Sequence, residues 1–244
     1  MLKKIITYLL WGIAVCYAMF AFIIIPCIPD NDTCKGVLIA VDNDDIGNLT
    51  DENIIDMLKG KGLSPEKKEM DKIDCHEIEK FLGSITLVRD CQVYKGKTGY
   101  INIAIECRTP IMKVHENSGN SYYIDAMGDT IVGIHKALHL PVASGYITRE
   151  MRRKELRDIA KTIYNNPFWR AQVEQVYFGE KGDIILVPRV GDHIIEFGKA
   201  DHAAEKLSKL YTFYSKGLNT IGWDKYEKLN IEFNDKVIGT RRNK

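Results

Sequence analysis

Apolar and polar positions change their period several times along the chain, and each change marks an element. Ile5 to Ile28 is a run of 24 residues without a charge. As a helix it would be about 36 Å long, enough to cross roughly 30 Å of bilayer hydrocarbon with some tilt. Residues 35–42 then read as a short apolar strand followed by a polar turn. Thr50 is placed to cap a helix with Asp51 and Glu52 in its first turn, Ile54, Ile55 and Leu58 as its apolar stripe and Gly60 as its stop. A second helix begins at Asp74, where Asp74-Cys-His-Glu77 has capping-box spacing; it carries Ile78, Phe81 and Leu82 on one face and ends at Gly83.

A period of two follows. Ile85, Leu87, Cys91 and Val93 share one face of a strand, and Ile101, Ile103, Ile105 and Cys107 share one face of the next. A hairpin centred near Lys97 sets Val93 opposite Ile101 and Cys91 opposite Ile103, so both apolar sets lie on the same side. Arg89 interrupts the alternation. Strand, helix, helix, strand, strand make a small sheet with two helices on its apolar face.

Beyond Pro110, residues 111–114 and 122–132 read as two more strands. Thr148 caps a helix whose Leu156, Ile159, Ala160 and Ile163 recur at helical spacing and which stops at Asn165-Asn166-Pro167. Strands are expected over 173–178, 184–187 and 193–197, joined by Gly-bearing hairpin turns. A helix from about Asp201 is expected to bury Leu207, Leu210, Tyr211 and Tyr214 and to stop at Gly217. Residues 229–234 alternate strictly and precede a short apolar segment at 236–239. The expected organisation is α+β: a tail at 1–4, a spanning helix at 5–28, a small domain at 30–111, and a second domain at 112–244 of antiparallel sheet with helices. No Ser/Pro/Gly-rich linker or fixed-period repeat separates the two domains, so they should abut.

Charge assigns the anchor a direction. The chain has 34 basic and 33 acidic residues, for a net charge of +1. Lys3 and Lys4 precede the apolar run while Asp30 and Asp32 follow it, so the positive-inside rule puts the tail in the cytoplasm and the remainder outside. A cleaved signal peptide fits less well, because its apolar stretch would be shorter and would end in a small-x-small site. Lipid attachment at Cys27 ranks lower still, since Pro26 stands where a small residue is wanted. The near-neutral charge, without a basic block, argues against a polyanion partner such as DNA. Six scattered cysteines without a CxxC pair argue against a disulfide scaffold and against a zinc or redox motif.

Candidate chemistry is sparse. Asp42-Asn-Asp44-Asp-Ile46-Gly47 starts like a calcium loop, but Ile46 and Asn53 stand where an acidic or amide residue and a glutamate are needed, so it reads as a turn. His135 and His139 have ligand spacing for a helix, yet Lys136 holds the general-base position and Leu140-Pro141 follows. Gly60-Lys-Gly62 and Gly96-Lys-Thr98 lack phosphate-loop spacing, and there is no GxSxG elbow. In the hairpin register above, Cys107 lies roughly 13 Å along the partner strand from the residue facing Cys91, beyond disulfide reach; both read as core residues, with Cys34 and Cys75 undecided. Trp169, Trp223, Tyr211 and Tyr214 read as core aromatics. No cofactor, metal or catalytic site is indicated.

The order of elements resembles the FtsQ/DivIB family of bacterial cell-division proteins. Ile103-Ala-Ile-Glu-Cys-Arg-Thr-Pro-Ile-Met-Lys-Val114 is similar to the family's strand and E-R-x-P junction through Glu106, Arg108 and Pro110. Tyr123-Ile-Asp-Ala-Met-Gly128 resembles L-I-D-x-x-G, and Leu140-Pro-Val-Ala-Ser-Gly145 resembles L-P-x-x-x-G. Ile194-Ile-Glu-Phe-Gly198 with Lys206-Leu-Ser-Lys-Leu210 is similar to the L-G … K-L-x-x-L segment, and Leu229-Asn-Ile-Glu-Phe233 to the D-L-R-Y strand, with Asn230, Glu232 and Phe233 where many members have Asp, Arg and Tyr.

The resemblance implies that the first domain is a POTRA module and that the protein is a non-enzymatic, single-pass divisome scaffold of the bacterial inner membrane, enriched at the septum. It would link early septal components to septal peptidoglycan synthesis by binding FtsB/DivIC-like and FtsL-like partners through its C-terminal region. A terminal strand with a free edge can receive an extended partner segment as a further strand. The expected partner-binding residues are Ile231, Glu232, Phe233, Val237 and Ile238, with Phe233 as the aromatic anchor; if strict alternation buries Leu229, Ile231 and Phe233 together, Val237 and Ile238 become the main contacts. Two other classes are open: a POTRA-bearing chaperone-like module, which should carry tandem modules, and an anchored cell-wall enzyme, which would need Asp125, Asp129 and His135 to share one pocket.

Overall fold

A computed structural model describes residues 33–42, 46–233 and 235–242. The expected spanning helix lies outside these residues, as do Asn43, Asp44 and Asp45 of the first turn. Among the described residues no helix is long and apolar enough to cross a membrane.

The first unit is a three-stranded sheet in the order β1-β3-β2 with two helices, as the periodicity predicts. β1 (Gly36–Val41) runs parallel to β3 (Tyr100–Cys107), and β2 (Val88–Lys95) runs antiparallel to it. Between them lie α1 (Asp51–Gly60) and α2 (Cys75–Gly83). Both caps form as read. Thr50 Oγ1 accepts from Asn53 N at 3.4 Å, and Asp74 Oδ1 accepts from Glu77 N at 3.0 Å. Ile54, Leu58, Ile78 and Leu82 pack on Ile101 and Ile103 in one apolar core.

The hairpin register differs from the expected one. Val93 faces Ile103 and Cys91 faces Ile105, a shift of two residues. The turn is longer than assumed: Gly96 N donates to Tyr100 O at 2.8 Å and Gly99, at φ 84°, closes the loop. A slip of two keeps every side chain on its own face, whereas a slip of one would invert the strand. Ile85 and Leu87 sit in the turn before β2, not in the strand. A bulge between Val88 and Asp90 turns Arg89 outward to pair with Glu106. Cys107 is therefore two residues along from Cys91's partner, about 7 Å, and Cys34, Cys75 and Cys91 are free thiols. Burial pushes the Cys91 thiol up to about 11.

The second unit is a nine-stranded sheet, β12-β11-β10-β9-β8-β7-β4-β5-β6. Its strands are β4 (Met112–Glu116), β5 (Ser121–Ile124), β6 (Thr130–Ile131), β7 (Val142–Gly145), β8 (Val173–Phe178), β9 (Ile184–Pro188), β10 (Ile194–Gly198), β11 (Tyr226–Asn230) and β12 (Ile238–Arg241). The sheet is mixed and not antiparallel, because β4–β7, β7–β8 and β10–β11 are parallel pairs. Parallel neighbours need a crossover, and helices supply two of them. α3 covers 149–165 and leads from β7 toward β8; it is α-helical over Arg149–Met151 and Arg157–Asn165, with a π-helical turn at Arg152–Leu156 between. α5 covers 203–221 between β10 and β11, passing through a π-helical turn at Tyr214–Leu218 and running on past Gly217.

A short helix, α4 (Pro167–Gln172), was not predicted. Asn166 Oδ1 caps it, accepting from Phe168 N at 3.0 Å and Trp169 N at 3.3 Å, and Pro167 occupies the first turn. The signal read as a helix stop is thus a stop and a restart. α4 drives Trp169 into the core with Tyr214, Phe178 and Phe197. Tyr211, expected inside, is half exposed on α5 and meets Phe168 edge-on.

Candidate partner interface

The terminal segment places its residues differently from one another. β11 carries Leu229 into the core, and Ile231 follows it there, both fully buried. Regular pairing of β11 stops at Asn230. Glu232 and Phe233 lie in an irregular stretch, so the alternation does not carry Phe233 inward; the residue is 48% exposed. Ile231 is a core residue whose side chain is closed to a partner. Two lysines hold Phe233: Lys236 Nζ stands 5.4 Å from its ring centroid, and Lys209 Nζ, from α5, donates to its carbonyl. Burial lowers the Lys209 ammonium from its usual value, and nearby Asp235 offsets part of that.

β12 follows as the last strand of the sheet. It pairs antiparallel with β11, Asn230 facing Ile238 and Leu229 facing Gly239, and among the described residues no strand lies on its other side. Arg242 N donates inward to Lys225 O at 3.1 Å. By strand alternation the peptide groups of Gly239 and Arg241 face the open side. Ile238 is 44% exposed, and Val237 packs at the margin of the core. The far end of β12 is pinned, since Arg242 Nη2 donates to Asp192 O at 2.7 Å and its Nη1 lies 3.4 Å from Asp192 Oδ2. The arrangement is a short, pinned, unpaired edge flanked by Phe233 and Ile238, which can accept an extended segment by backbone pairing. Sequence reasoning missed Tyr226, Gly239 and Arg241 as parts of this edge. A glycine followed by Thr-Arg in a β-like run was the available signal.

Asp125, Asp129 and His135 do not form one pocket. Arg108 Nη1 donates to Asp125 Oδ2 and Asp129 Oδ2, each at 2.7 Å. Asp125 Oδ1 accepts from Met127 N and Asp129 N, each at 2.9 Å, tying the turn between β5 and β6. Partial burial alone would lower Arg108, but the hydrogen bonds and charges of Asp125 and Asp129 outweigh it and hold it above its usual value. His135 lines a separate groove with Ile46, Gly47, Asn48 and Lys136. His135 and His139 lie in loop, not helix, and among the described residues no cluster of three or more His, Cys, Asp or Glu is placed to hold a metal.

A three-stranded β-α-α-β-β module joined to a mixed, sheet-rich unit is the arrangement of a POTRA-like domain followed by a second domain. Family comparison agrees: a POTRA-like domain model matches residues 32–106. The model described as FtsQ/DivIB, C-terminal related matches residues 109–240, more than half of the chain, and the protein belongs to that family of non-enzymatic cell-division proteins. No curated protein matches the chain.

Proposed function

We propose that this protein is a divisome scaffold anchored in the bacterial plasma membrane by residues 5–28. Its N-terminus is cytoplasmic, its two folded units lie outside, and it is concentrated at the septum. It links early septal components to septal peptidoglycan synthesis by binding FtsB/DivIC-like and FtsL-like proteins at β12. The observation that carries this reading is the unpaired edge of β12 beside exposed Phe233 and Ile238. Backbone pairing along Gly239 and Arg241 gives affinity, and Glu232, Phe233, Val237 and Ile238 select the partner. Ile231 contributes from below, by fixing the stretch that displays Phe233.

The test is a photoreactive residue at position 233, and separately at 238, crosslinked in living cells with the adduct identified by mass spectrometry. An adduct with a small single-pass coiled-coil protein supports the scaffold. Adducts with many unrelated exported proteins would move the protein to the chaperone class, and no adduct at either position would remove the interface from β12.

A further inference from the structure

The nine-stranded sheet ends on different things. Among the described residues β12 is open, whereas β6, at the opposite end, is embedded in the other unit. Ile131 on β6 is fully buried, yet it belongs to the core of the first unit, among residues of the three-stranded sheet and its helices. Tyr123 and Ile134 pack against the same core. Next to it, Thr86 Oγ1 accepts from Val132 N at 3.2 Å and lies 3.4 Å from Val132 O, and Gly47 forms a bridge with Ile134. Arg108 is fixed at the end of β3 by its own N–H to Leu87 O at 2.7 Å, and its guanidinium grips Asp125 and Asp129, which turn β5 into β6.

We propose that β6 is a clasp that makes the first unit and the partner edge one rigid body, so that the nine-stranded sheet is a strut presenting β12 at a fixed distance from the first unit. The physical reason is that hinge motion would withdraw Ile131 from the first core, exposing its side chain and opening a cavity, while breaking the Arg108 pairs. Eight strand intervals separate β6 from β12, about 38 Å before twist is taken into account. This inference rests on the terminal edge being the partner site.

The test uses the full chain in detergent, with non-cysteine spin labels at Tyr94 in the first unit and Tyr177 in the second, both exposed. The wild type is expected to give one narrow distance distribution. Ile131→Ala, and separately the double variant Thr86→Val with Arg108→Gln, which leaves both cores untouched, are expected to lose it. In cells both variants are expected to keep the crosslink at position 238 but to fail to support division. A broad wild-type distribution, or distributions unchanged in both variants, overturns the clasp. Normal division despite a broadened distribution overturns its role in presenting the edge. Absence of the wild-type crosslink removes the partner-edge reading instead, and leaves the distance result standing as a statement about rigidity.

Discussion

The ring of Tyr226 on β11 lies across Gly239 on β12: a β-carbon built at Gly239 would stand 2.5 Å from both Cδ1 and Cε1 of that ring. The Phe213 ring meets that of Tyr226 at a centroid distance of 5.9 Å and an angle of 61°. The apolar core thus reaches β12 through an aromatic ring that only a glycine neighbour can accommodate in place.

Gly239→Val is therefore expected to displace the ring and loosen β12, at a cost of about 1–3 kcal/mol for overpacking. Hydrogen exchange should accelerate at Ile238 to Arg242 and stay unchanged in the first unit. Adding Tyr226→Ala should restore protection at β12; if it does not, the ring is not what holds the strand.

Ile231 and Phe233 should separate stability from binding. Ile231→Ala removes a fully buried side chain and is expected to cost about 2–5 kcal/mol, seen as a lower denaturation midpoint. Phe233→Ala should shift stability by no more than about 0.5 kcal/mol while weakening partner binding by roughly 1 kcal/mol or more. Denaturant unfolding and calorimetric titration with the crosslinked partner measure both.

His193 gives the second unit a pH dependence. It is buried, with Nε2 2.7 Å from Tyr214 Oη and Nδ1 without a partner. Burial depresses its pKa from 6.5, Asp192 opposes that and Arg242 adds to it. The unfolded chain binds the proton that the folded state refuses, so this contribution is intact above pH 6.5 and is lost progressively as pH falls below it. Thermal midpoints measured from pH 7.5 down to pH 5, a range of about one unit above and somewhat more below the ordinary histidine pKa, should drop more steeply for the wild type than for His193→Gln. Parallel curves would show that another group is responsible.

Gly145 closes β7 at φ 96°, and a β-carbon there would stand 2.2 Å from Phe178 O. That carbonyl accepts from Tyr146 N at 2.8 Å, so it is not free to retreat. Gly145→Ala is expected to cost more than about 4 kcal/mol and to abolish the cooperative unfolding of the second unit, as read by near-ultraviolet circular dichroism. A cooperative transition close to wild type would mean that β7 and β8 can separate.

Most elements were legible in the chain, because a helix or a half-buried strand writes its period into neighbouring residues. The caps at Thr50 and Asp74, the inward faces of both hairpin strands and the strand at 173–178 depend on residues at most a few positions apart. Ambiguous local signals were not legible: Asn166-Pro167 both ends one helix and begins another, and Gly217 falls inside α5. Of the residues expected to bind a partner, the strand-like alternation up to Ile231 was legible, but the exposure of those after it was not. Alternation predicts two faces and cannot say where the strand stops, so it could not distinguish buried Ile231 from exposed Phe233.

The sequence by itself determined most of the elements and their order, their apolar faces and the family pattern, since these rest on periodicity and short motifs. Tertiary structure alone decided that three pairs in the large sheet are parallel, that Arg108 serves Asp125 and Asp129, that Ile131 fills the core of the other unit and that β12 is the open edge among the described residues. Each of these joins residues distant along the chain, and a period of two or of 3.6 carries no information about which partner a face will meet.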